Sequence, residues 1–352
     1  MELKFATLNL YQYLLPGLFW YERDDDNKNS DASWAAKQAW ISDMLRQLDA
    51  DVVGFQEVFS IEPFAELVKA AGYPHLAIVA EPAQDEDDSE VFVGPVVAIA
   101  SRHPFVEPPT PMSTDERLAA DTVLEAGFRP RRDIVQAKID LPGLGPTTVF
   151  CCHFKSQGAF VDKDAVAALP GWRERFRDHM RQRVVKDADQ LMRRSAEAAA
   201  VYLAAMEEVE KDREAPVVVL GDLNDTPDSP TLRIITQGDW ISTIGGRQRG
   251  SLEAADKAWQ FTWQLFDAFG LTPQQRSGWR QPTHKASYFY PPSTLDYVLV
   301  SNGLNGSNPR ASWHVKRLKI LGNHLITGGD DRTSSDHAAV LAIVEPKERA
   351  TG

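Results

Sequence analysis

Cysteine is nearly absent from the 352-residue sequence, which contains only the adjacent pair Cys151 and Cys152. Neighbouring cysteines cannot build a disulfide framework, so we expect both to be reduced residues of a buried strand. The sequence also lacks any run of about 18 apolar residues, and we therefore expect no stable membrane insertion. The N-terminal residues lack the basic start and apolar core of a secretory signal, which predicts a cytoplasmic protein unless a leader preceded this numbering.

Basic residues are fewer than acidic ones: the sequence has 38 Lys and Arg and 50 Asp and Glu, which gives a net charge of −12. This charge repels an acidic ligand at long range, so a phosphate-bearing substrate needs bound cations or a few well-placed basic residues. No Lys/Arg-rich stripe is evident, which argues against tight binding of duplex nucleic acid. No heptad pattern or exposed apolar stripe stands out either, and the oligomeric state stays open.

Short β-branched runs, which are typical of strands, recur along the whole chain. They cover residues 4–8, 52–55, 96–100, 134–139, 147–152, 217–220, 297–300 and 339–344. Apolar residues at helical spacing predict helices over 32–48 and 172–211, and we interpret the second as a helix that covers a sheet face. Strict alternation of strand and helix is missing, which favours an α/β fold with a mixed sheet, or two packed sheets flanked by helices, over a parallel barrel. No linker divides the chain, so we predict one domain over residues 1–346 and a tail over 347–352.

Polar residues follow several of these strands, and the first two are Asn9 and Glu57. A carboxylate that leaves a buried strand is costly unless it is paired or binds a cation, and Mg²⁺ or Mn²⁺ takes oxygen ligands of this kind. Glu57 is therefore the leading candidate for a metal ligand. Taken alone, Glu57 would equally suit a helix cap or a salt bridge, and Asn9 a turn.

The segment VFCCHFKSQG places His153 and Lys155 at the end of an apolar strand. Alternation along a strand puts both side chains on one face, where they can approach the same phosphate oxygen. A lone histidine at a strand end is more often structural. The neighbouring Lys155 and Ser156, followed by Gly158, favour a functional role here.

The segment VVVLGDLNDTP ends another apolar strand and presents Asp222 and Asn224 two residues apart. Side chains two apart can face the same side of a strand. A carboxylate can orient or deprotonate a water, while an amide can donate to a phosphoryl oxygen. The pattern also suits an ordinary Asp/Asn turn, so it carries weight only together with the other strand ends.

Two further strands begin at TLDYVLVS and SSDHAAVLAIV, which contain Asp296, Asp336 and His337. A histidine that acts as a base needs a carboxylate on one ring nitrogen, because that hydrogen bond fixes the tautomer and raises the basicity of the other nitrogen. Asp296 suits this role towards His337. Asp336 can then contribute to the metal site beside Glu57.

Taken together and in order, the segments LNLY, GFQEV, CCHFKS, LGDLND, LDYVLVS and SSDHAAV resemble the motifs of the endonuclease/exonuclease/phosphatase superfamily with its deoxyribonuclease-I-like fold. The resemblance is nearest to bacterial nuclease-like members with an HFKS motif. It implies a four-layer α/β sandwich of two packed mixed β-sheets flanked by helices, with the active site at one end. Tyr11 stands where the abasic-site endonuclease branch has an acidic residue, which argues against abasic-site repair.

The resemblance also implies a role for each motif residue. Those at a Mg²⁺ or Mn²⁺ site are Asn9, Glu57 and Asp336. Those that take part in the reaction are His153 as a phosphate contact, Asp222 and Asn224 as the water-orienting and transition-state-stabilising pair, Asp296 as the orienting carboxylate and His337 as the base. Candidates for holding the substrate phosphate are Lys155, Arg131 and Arg132, of which the two arginines would equally suit a strand edge.

The expected activity is hydrolysis of a phosphodiester bond, with nucleic acid as a weakly or transiently bound substrate. The alternative substrate is a small molecule or a lipid headgroup, for which the aromatic residues Phe19, Trp20, Tyr288, Phe289 and Tyr290 would line a pocket or touch an interface. Such aromatics are more often core residues. A catalytically silent binding module is the third possibility, but it predicts loss of at least one residue of the set, and none is lost.

Overall fold

Two six-stranded mixed sheets form the centre of the fold, with helices on their outer faces. The computed structural model describes residues 1–114, 118, 128–158, 161–237, 253, 259–273, 275, 278–285, 291–328 and 330–348. Strands and helices are numbered below in chain order over these residues. The predicted α/β fold class, with packed mixed sheets flanked by helices, is confirmed.

The first sheet has the strand order β14-β15-β1-β3-β7-β4. Its strands are β1 (Leu3–Tyr13), β3 (Val52–Val58), β4 (His75–Ala77), β7 (Val96–Ser101), β14 (Trp313–Leu321) and β15 (Ala339–Pro346). The pair β1 and β3 is parallel, and the other neighbours are antiparallel. Residues of β1, β3 and β7 are buried on both faces, as expected for central strands covered on both sides.

The second sheet has the order β12-β13-β11-β10-β9-β8. Its strands are β8 (Thr110–Pro111), β9 (Val135–Leu141), β10 (Gly145–His153), β11 (Val217–Asp222), β12 (Leu265–Asp267) and β13 (Asp296–Ser301). Here β10 and β11 are parallel. A third, small sheet joins β2 (Phe19–Trp20), β5 (Ala83–Gln84) and β6 (Val91–Gly94).

The main core lies between the two large sheets and consists mostly of Val, Ile, Leu and Ala side chains. The sheets come closest at Gly54, where an added Cβ atom would lie 2.9 Å from Cβ of Leu220 and 3.0 Å from Sγ of Cys151. Glycine is required there because any side chain would push the sheets apart. Cys151 and Cys152 are both buried and reduced, as expected.

Six α-helices lie in the described residues: α1 (Asp31–Leu48), α2 (Ile61–Ala70), α3 (Lys163–Ala167), α4 (Trp172–Lys211), α5 (Pro230–Thr236) and α6 (Asn323–Thr327). Apolar side chains of α1 and α2 pack on the outer face of the first sheet, and those of α4 and α5 pack on the second. This arrangement gives four layers. None of the described helices is long and apolar enough to cross a membrane.

Helix α4 covers the second sheet only with its C-terminal half. Apolar residues from Ala196 to Val209 are buried against the sheet, whereas Val184 and Leu191 are exposed. The prediction that the whole 172–211 stretch covers a sheet face is therefore wrong for its first half, and so is the expectation that no exposed apolar stripe exists. Apolar periodicity indicates which residues share a helix face, but not whether another element covers that face.

Candidate active site

Three neighbouring strands of the second sheet bring three of the predicted residues into one row. His153 at the end of β10 pairs in register with Asp222 at the end of β11, and Asp222 pairs with Asp296 at the start of β13. All three side chains are buried. The row arises because β10 and β11 run parallel while β13 runs antiparallel to them, so two strand ends and one strand start meet at the same sheet edge.

His337, which precedes β15 of the first sheet, reaches across to this row. Its Nδ1 lies 2.8 Å from Oδ2 of Asp296, and both side chains are buried. Burial by itself would lower the pKa of His337, but the charges of Asp296, Asp222 and Asp336 outweigh it and raise that pKa well above 6.5. The backbone N–H of His337 donates to Oγ of Ser335, whose hydroxyl donates to the carbonyl of Asn9. This chain of bonds ties the histidine to the end of β1.

Asp222 occupies the middle of the cluster. Its Oδ1 accepts the backbone N–H of Asn224, and its Oδ2 accepts amide hydrogens of Asn224 and Asn9 at 3.2 and 3.1 Å. The same Oδ2 lies 3.8 Å from Nε2 of His337. Burial raises the pKa of Asp222 to about 7, with Asp296 and Glu57 adding to the rise and the charge of His337 opposing it. Asp222 is thus poised to hold or release a proton near neutral pH.

Asn224 adopts a left-handed backbone conformation with φ of 52°. Besides its bond to Asp222, its side-chain amide donates to the carbonyl of Phe154. Both amide hydrogens are therefore directed at protein acceptors. In this arrangement Asn224 positions Asp222, and donation to a phosphoryl oxygen requires it to exchange one of these two bonds.

Glu57 lies beside Asn9 and His153, near the end of β3, with φ of 63°. Its Oε2 accepts the backbone N–H of Gln12 at 2.8 Å, and its Oε1 lies 3.4 Å from Nδ2 of Asn9. Tyr11 and Gln12 also have positive φ, at 49° and 56°. Three left-handed non-glycine residues around one carboxylate indicate backbone strain of the kind that is concentrated at functional sites.

Lys37 of α1 holds this strained segment in place. Its buried ammonium donates to the carbonyls of Leu10, at 3.0 Å, and Tyr11. Burial lowers the pKa of Lys37 to about 8, although the charges of Glu57 and Asp336 oppose the shift. A fully buried lysine with carbonyl partners is uncommon, and here it fixes the backbone whose next N–H binds Glu57.

His153 contacts the cluster through Nε2, which lies 3.5 Å from Oδ2 of Asp222 and 4.0 Å from Oε1 of Glu57. Its Nδ1 is buried without a hydrogen-bond partner among the described residues. Burial lowers the pKa of His153 well below 6.5, helped by the charges of Arg132, His337 and Lys155. His153 is therefore neutral, unlike His337.

Asp336 meets a histidine that the sequence did not indicate, His284. Oδ2 of Asp336 lies 3.7 Å from Nε2 of His284, and Oδ1 lies 3.8 Å from Nε2 of His337. The two imidazole rings contact each other edge to face at 4.9 Å. Burial opposes ionisation of Asp336, but the two histidines outweigh it and lower the pKa of this carboxyl.

Basic residues line the side of the cleft next to His153. Arg132 donates to the carbonyls of His153 and Phe154 at 3.3 Å, and Arg131 is exposed beside it. Lys155 has its ammonium near Oγ of Ser156, and burial together with the two arginines lowers its pKa to about 8. Buried Glu197 of α4 accepts the backbone N–H groups of Arg131 and Lys155 and so aligns them.

The donor set fits a hard divalent cation. Four carboxylates converge on the cleft, and Oδ1 of Asp296 and Oδ1 of Asp336 are buried without hydrogen-bond partners among the described residues. Burial of carboxylate oxygens without a hydrogen-bond partner costs free energy unless a cation binds them. Two sets of three side chains have ligand atoms within 4.8 Å of one another: His284, Asp336 and His337, and Asp222, Asp296 and His337.

The structure thus brings together the predicted residues Asn9, Glu57, His153, Asp222, Asn224, Asp296, Asp336 and His337, with Lys155, Arg131 and Arg132 at one rim. Sequence reasoning missed three residues of the site, Lys37, Ser335 and His284. Only Ser335 carried a signal, since its SSDH context resembles a turn that precedes a strand. Of the aromatic residues considered for a pocket, Phe19 and Trp20 are buried, while Tyr288, Phe289 and Tyr290 lie outside the described residues.

Solved structures with the same fold share little sequence with this chain. The human Nocturnin catalytic domain with bound sulfate has a TM-score of 0.56 at 15% identity, covering 98% of this chain and 94% of that one. An endonuclease/exonuclease/phosphatase family protein from Bacteroides thetaiotaomicron has a TM-score of 0.53 at 16% identity, with 98% and 95% covered. TDP2 of D. rerio with a single-strand DNA product has a TM-score of 0.50 at 13% identity, with 98% and 99% covered.

No curated protein sequence matches the chain at a significant level. The profile of the family described as "Endonuclease/Exonuclease/phosphatase family" does match it, over residues 6–337. This match spans every motif residue from Asn9 to His337, in the order in which the resemblance predicts them. The chain therefore belongs to the endonuclease/exonuclease/phosphatase family.

Proposed function

We propose that the protein is a divalent-metal-dependent phosphodiesterase, specifically a nuclease, that hydrolyses its substrate by attack of water on phosphorus. Members of its family are generally phosphoesterases. The observation that carries the proposal is the buried Asp296–His337 pair at 2.8 Å, with Asp222 in contact range of the other ring nitrogen. A carboxylate, an imidazole and a second carboxylate in this order form a base that can accept a proton from water.

His337 acts as the general base through Nε2. The bond from Nδ1 to Asp296 keeps the Nδ1 proton in place, so Nε2 is the nitrogen that exchanges its proton. Asp222, 3.8 Å from Nε2, orients the water towards the phosphorus. Burial raises the pKa of Asp222 to about 7, so Asp222 and His337 titrate as a coupled pair.

Charge on the phosphoryl oxygens is met by two sets of residues. His153, Arg131, Arg132 and Lys155 lie at one rim of the cleft and supply N–H donors to a phosphate. Glu57, Asn9 and Asp336 would hold Mg²⁺ or Mn²⁺, which when bound supplies positive charge against the phosphoryl oxygens and the leaving group. Asn224 positions Asp222 and is available to donate once it releases one of its own bonds.

The basic rim of the site is small, so a nucleic acid would contact it through only a few phosphates. Three basic side chains near the cleft neutralise a few phosphates, while the net charge of −12 disfavours long-range attraction of a polyanion. We therefore expect weak or transient binding of nucleic acid, with a modest salt dependence set by about three neutralised phosphates. Salt dependence arises because each neutralised phosphate releases counterions.

The proposal is tested with four substrates: single-stranded DNA, duplex DNA, RNA and bis-(p-nitrophenyl) phosphate. Wild type, His337→Ala and the control His314→Ala are compared in Mg²⁺, Mn²⁺ and EDTA. His314 lies on β14, where its Nε2 is 3.9 Å from Oε1 of Glu345, and it takes no part in the cluster. We expect metal-dependent polymer cleavage that His337→Ala lowers by about 10² or more and His314→Ala leaves unchanged.

Three outcomes would revise the proposal. Cleavage of the small diester alone would replace the nuclease with a small-molecule phosphodiesterase. Full activity of a folded His337→Ala variant would exclude His337 as the base. If none of the four substrates is hydrolysed, phosphomonoesters and lipids are tested next. Absence of hydrolysis there as well would favour a binding module.

A further inference from the structure

The N-terminal half of α4 extends beyond the edge of the sheet that carries the candidate active site. Arg194 and Glu197 of α4 bind the backbone around Lys155, just after the end of β10. Glu208 binds Thr148, near the start of β10. The helix therefore runs antiparallel to β10, and residues 172–193 continue past the active-site edge for about 33 Å at 1.5 Å per residue. We call residues 172–193 the α4 arm.

Large apolar side chains of the α4 arm are exposed to solvent. Trp172, Phe176, Met180 and Val184 are 74%, 54%, 42% and 63% exposed. They follow one another at steps of four residues and, with Leu191, occupy an arc of about 120° on the helix surface. The rings of Trp172 and Phe176 stack at 5.5 Å, so the tip of the arm presents one continuous aromatic surface.

This apolar arc faces away from the rest of the described structure. Residues on the other side of the helix, including Asp178 and Gln182, are half-buried, and Gln182 accepts the backbone N–H of Asp162 at the start of α3. A free helix of this length is marginal in water, and most helix stability comes from packing of an apolar face. The arc therefore needs a partner.

The α4 arm also differs from the rest of the chain in charge. It contains six arginines and one lysine against four acidic residues, for a net charge of +3, whereas the whole chain carries −12. Arg173 and Arg183 lie within the same 120° of the helix surface, and Arg183 pairs there with Asp187 at 3.8 Å. Long basic side chains beside exposed Trp and Phe are characteristic of helices that lie in the interface of an anionic bilayer.

We propose that the α4 arm binds the surface of an anionic lipid membrane. The apolar side chains of the arc enter the boundary between headgroups and acyl chains, and the arginines within and beside the arc extend their long side chains to the lipid phosphates. The negative charge of the protein body does not prevent this, because the arm projects over several Debye lengths of about 8 Å at physiological salt. The proposal is independent of the proposed function, since it concerns binding and not hydrolysis.

Two other binding partners of the apolar arc agree less well with the observations: a second copy of the arm and single-stranded nucleic acid. A second copy of the arm would need apolar residues at alternating steps of three and four, but the observed step is four and does not form a coiled-coil seam. Single-stranded nucleic acid would use the stacked rings of Trp172 and Phe176 but would leave Met180, Val184 and Leu191 without a role, because aliphatic side chains offer bases no stacking platform.

The test is flotation of the full-length protein with vesicles of phosphatidylcholine alone and of an equimolar phosphatidylcholine–phosphatidylglycerol mixture, without substrate. The variants are Trp172→Ser/Phe176→Ser and, as a matched control, Val185→Ser/Met192→Ser. Val185 and Met192 are 67% and 49% exposed but lie about 200–220° around the helix from Trp172, outside the arc. Circular dichroism and thermal unfolding check that each variant keeps its fold.

We expect at least about 10-fold more wild-type protein on the anionic vesicles, a loss of about 10-fold or more in Trp172→Ser/Phe176→Ser, and a change within about 2-fold in the control. Equal flotation of wild type and Trp172→Ser/Phe176→Ser overturns the proposal, and so does absence of wild-type binding. A wild-type dimer that this variant converts to a monomer, or oligonucleotide binding that it abolishes without vesicle binding, assigns the arm to another partner and also overturns it.

Discussion

Replacement of Asp296 by Asn removes the charge that most strongly favours the protonated form of His337. Burial alone would lower the pKa of His337, but Asp296, followed by Asp222 and Asp336, raises it well above 6.5. Asn keeps the size of Asp296 and can turn an N–H towards Nδ1 of His337, which places the ring proton on the wrong nitrogen. In the variant, a smaller share of the deprotonated His337 rings therefore carries the proton on Nδ1 and leaves Nε2 free to act as the base.

We expect kcat to fall by about 10²–10⁴ in Asp296→Asn, which corresponds to about 2.7–5.4 kcal/mol of transition-state stabilisation. A base works when it is deprotonated, so activity rises with pH through the pKa of His337. Because the variant loses the largest contribution that raises this pKa, the rising limb of its pH profile moves to lower pH. A lower maximum at a more acidic midpoint is the signature of this change.

The assay is hydrolysis of bis-(p-nitrophenyl) phosphate between pH 5 and 10 at saturating Mn²⁺. Wild type, Asp296→Asn, His337→Ala and the double variant form a mutant cycle. Residues that act as a unit give non-additive losses, so the double variant should be about as slow as His337→Ala alone. Wild-type kcat in a folded Asp296→Asn variant, or losses that multiply in the double variant, would exclude Asp296 and His337 as a catalytic unit.

Three further predictions concern the metal site and the sheet contact. Lys37→Met should weaken Mn²⁺ binding by about 10–100-fold in calorimetry, because it frees the backbone that positions Glu57; unchanged affinity would contradict this. Mn²⁺ binding should release protons and tighten with rising pH, since His337 is protonated in the metal-free site; equal binding heats in buffers of different ionisation enthalpy would argue against it. Gly54→Ala should lower the free energy of unfolding in urea by about 1–3 kcal/mol, while Gly270→Ala, which has open space, should change it by less than about 0.5 kcal/mol; equal values would rule out the close sheet contact.

Most strands could be predicted because β-branched, apolar runs bounded by polar turns carry their own signal. Strand β14 escaped prediction because its pattern is broken by a register shift between Val315 and Arg317 that puts the apolar residues out of phase. Helix α2 was not predicted, although its sequence contains the apolar residues Phe64, Leu67 and Val68 at helical spacing, and the structure buries all three. The order of strands within each sheet depends on long-range pairing, and no local pattern encodes it.

Much of the candidate site could be located from the sequence because its members lie at strand ends and recur in the family order. The contact between Asp296 and His337 follows from the requirement that a basic histidine has a carboxylate partner. Lys37 and His284 escaped prediction, because a lysine within a helix and a histidine within a loop acquire their roles only through tertiary contacts. The exposed face of the α4 arm was missed for the same reason.

The most direct test of the central claim is the initial rate of single-stranded DNA cleavage in Mg²⁺ and in EDTA, for wild type and for folded Glu57→Gln. Glu57 accepts the backbone N–H of Gln12 and faces the cleft, so the variant changes the charge of the predicted metal ligand with little change in shape. We expect cleavage in Mg²⁺ that EDTA abolishes and that Glu57→Gln lowers by about 10-fold or more. Cleavage that persists in EDTA, or that Glu57→Gln leaves at the wild-type rate, would contradict it.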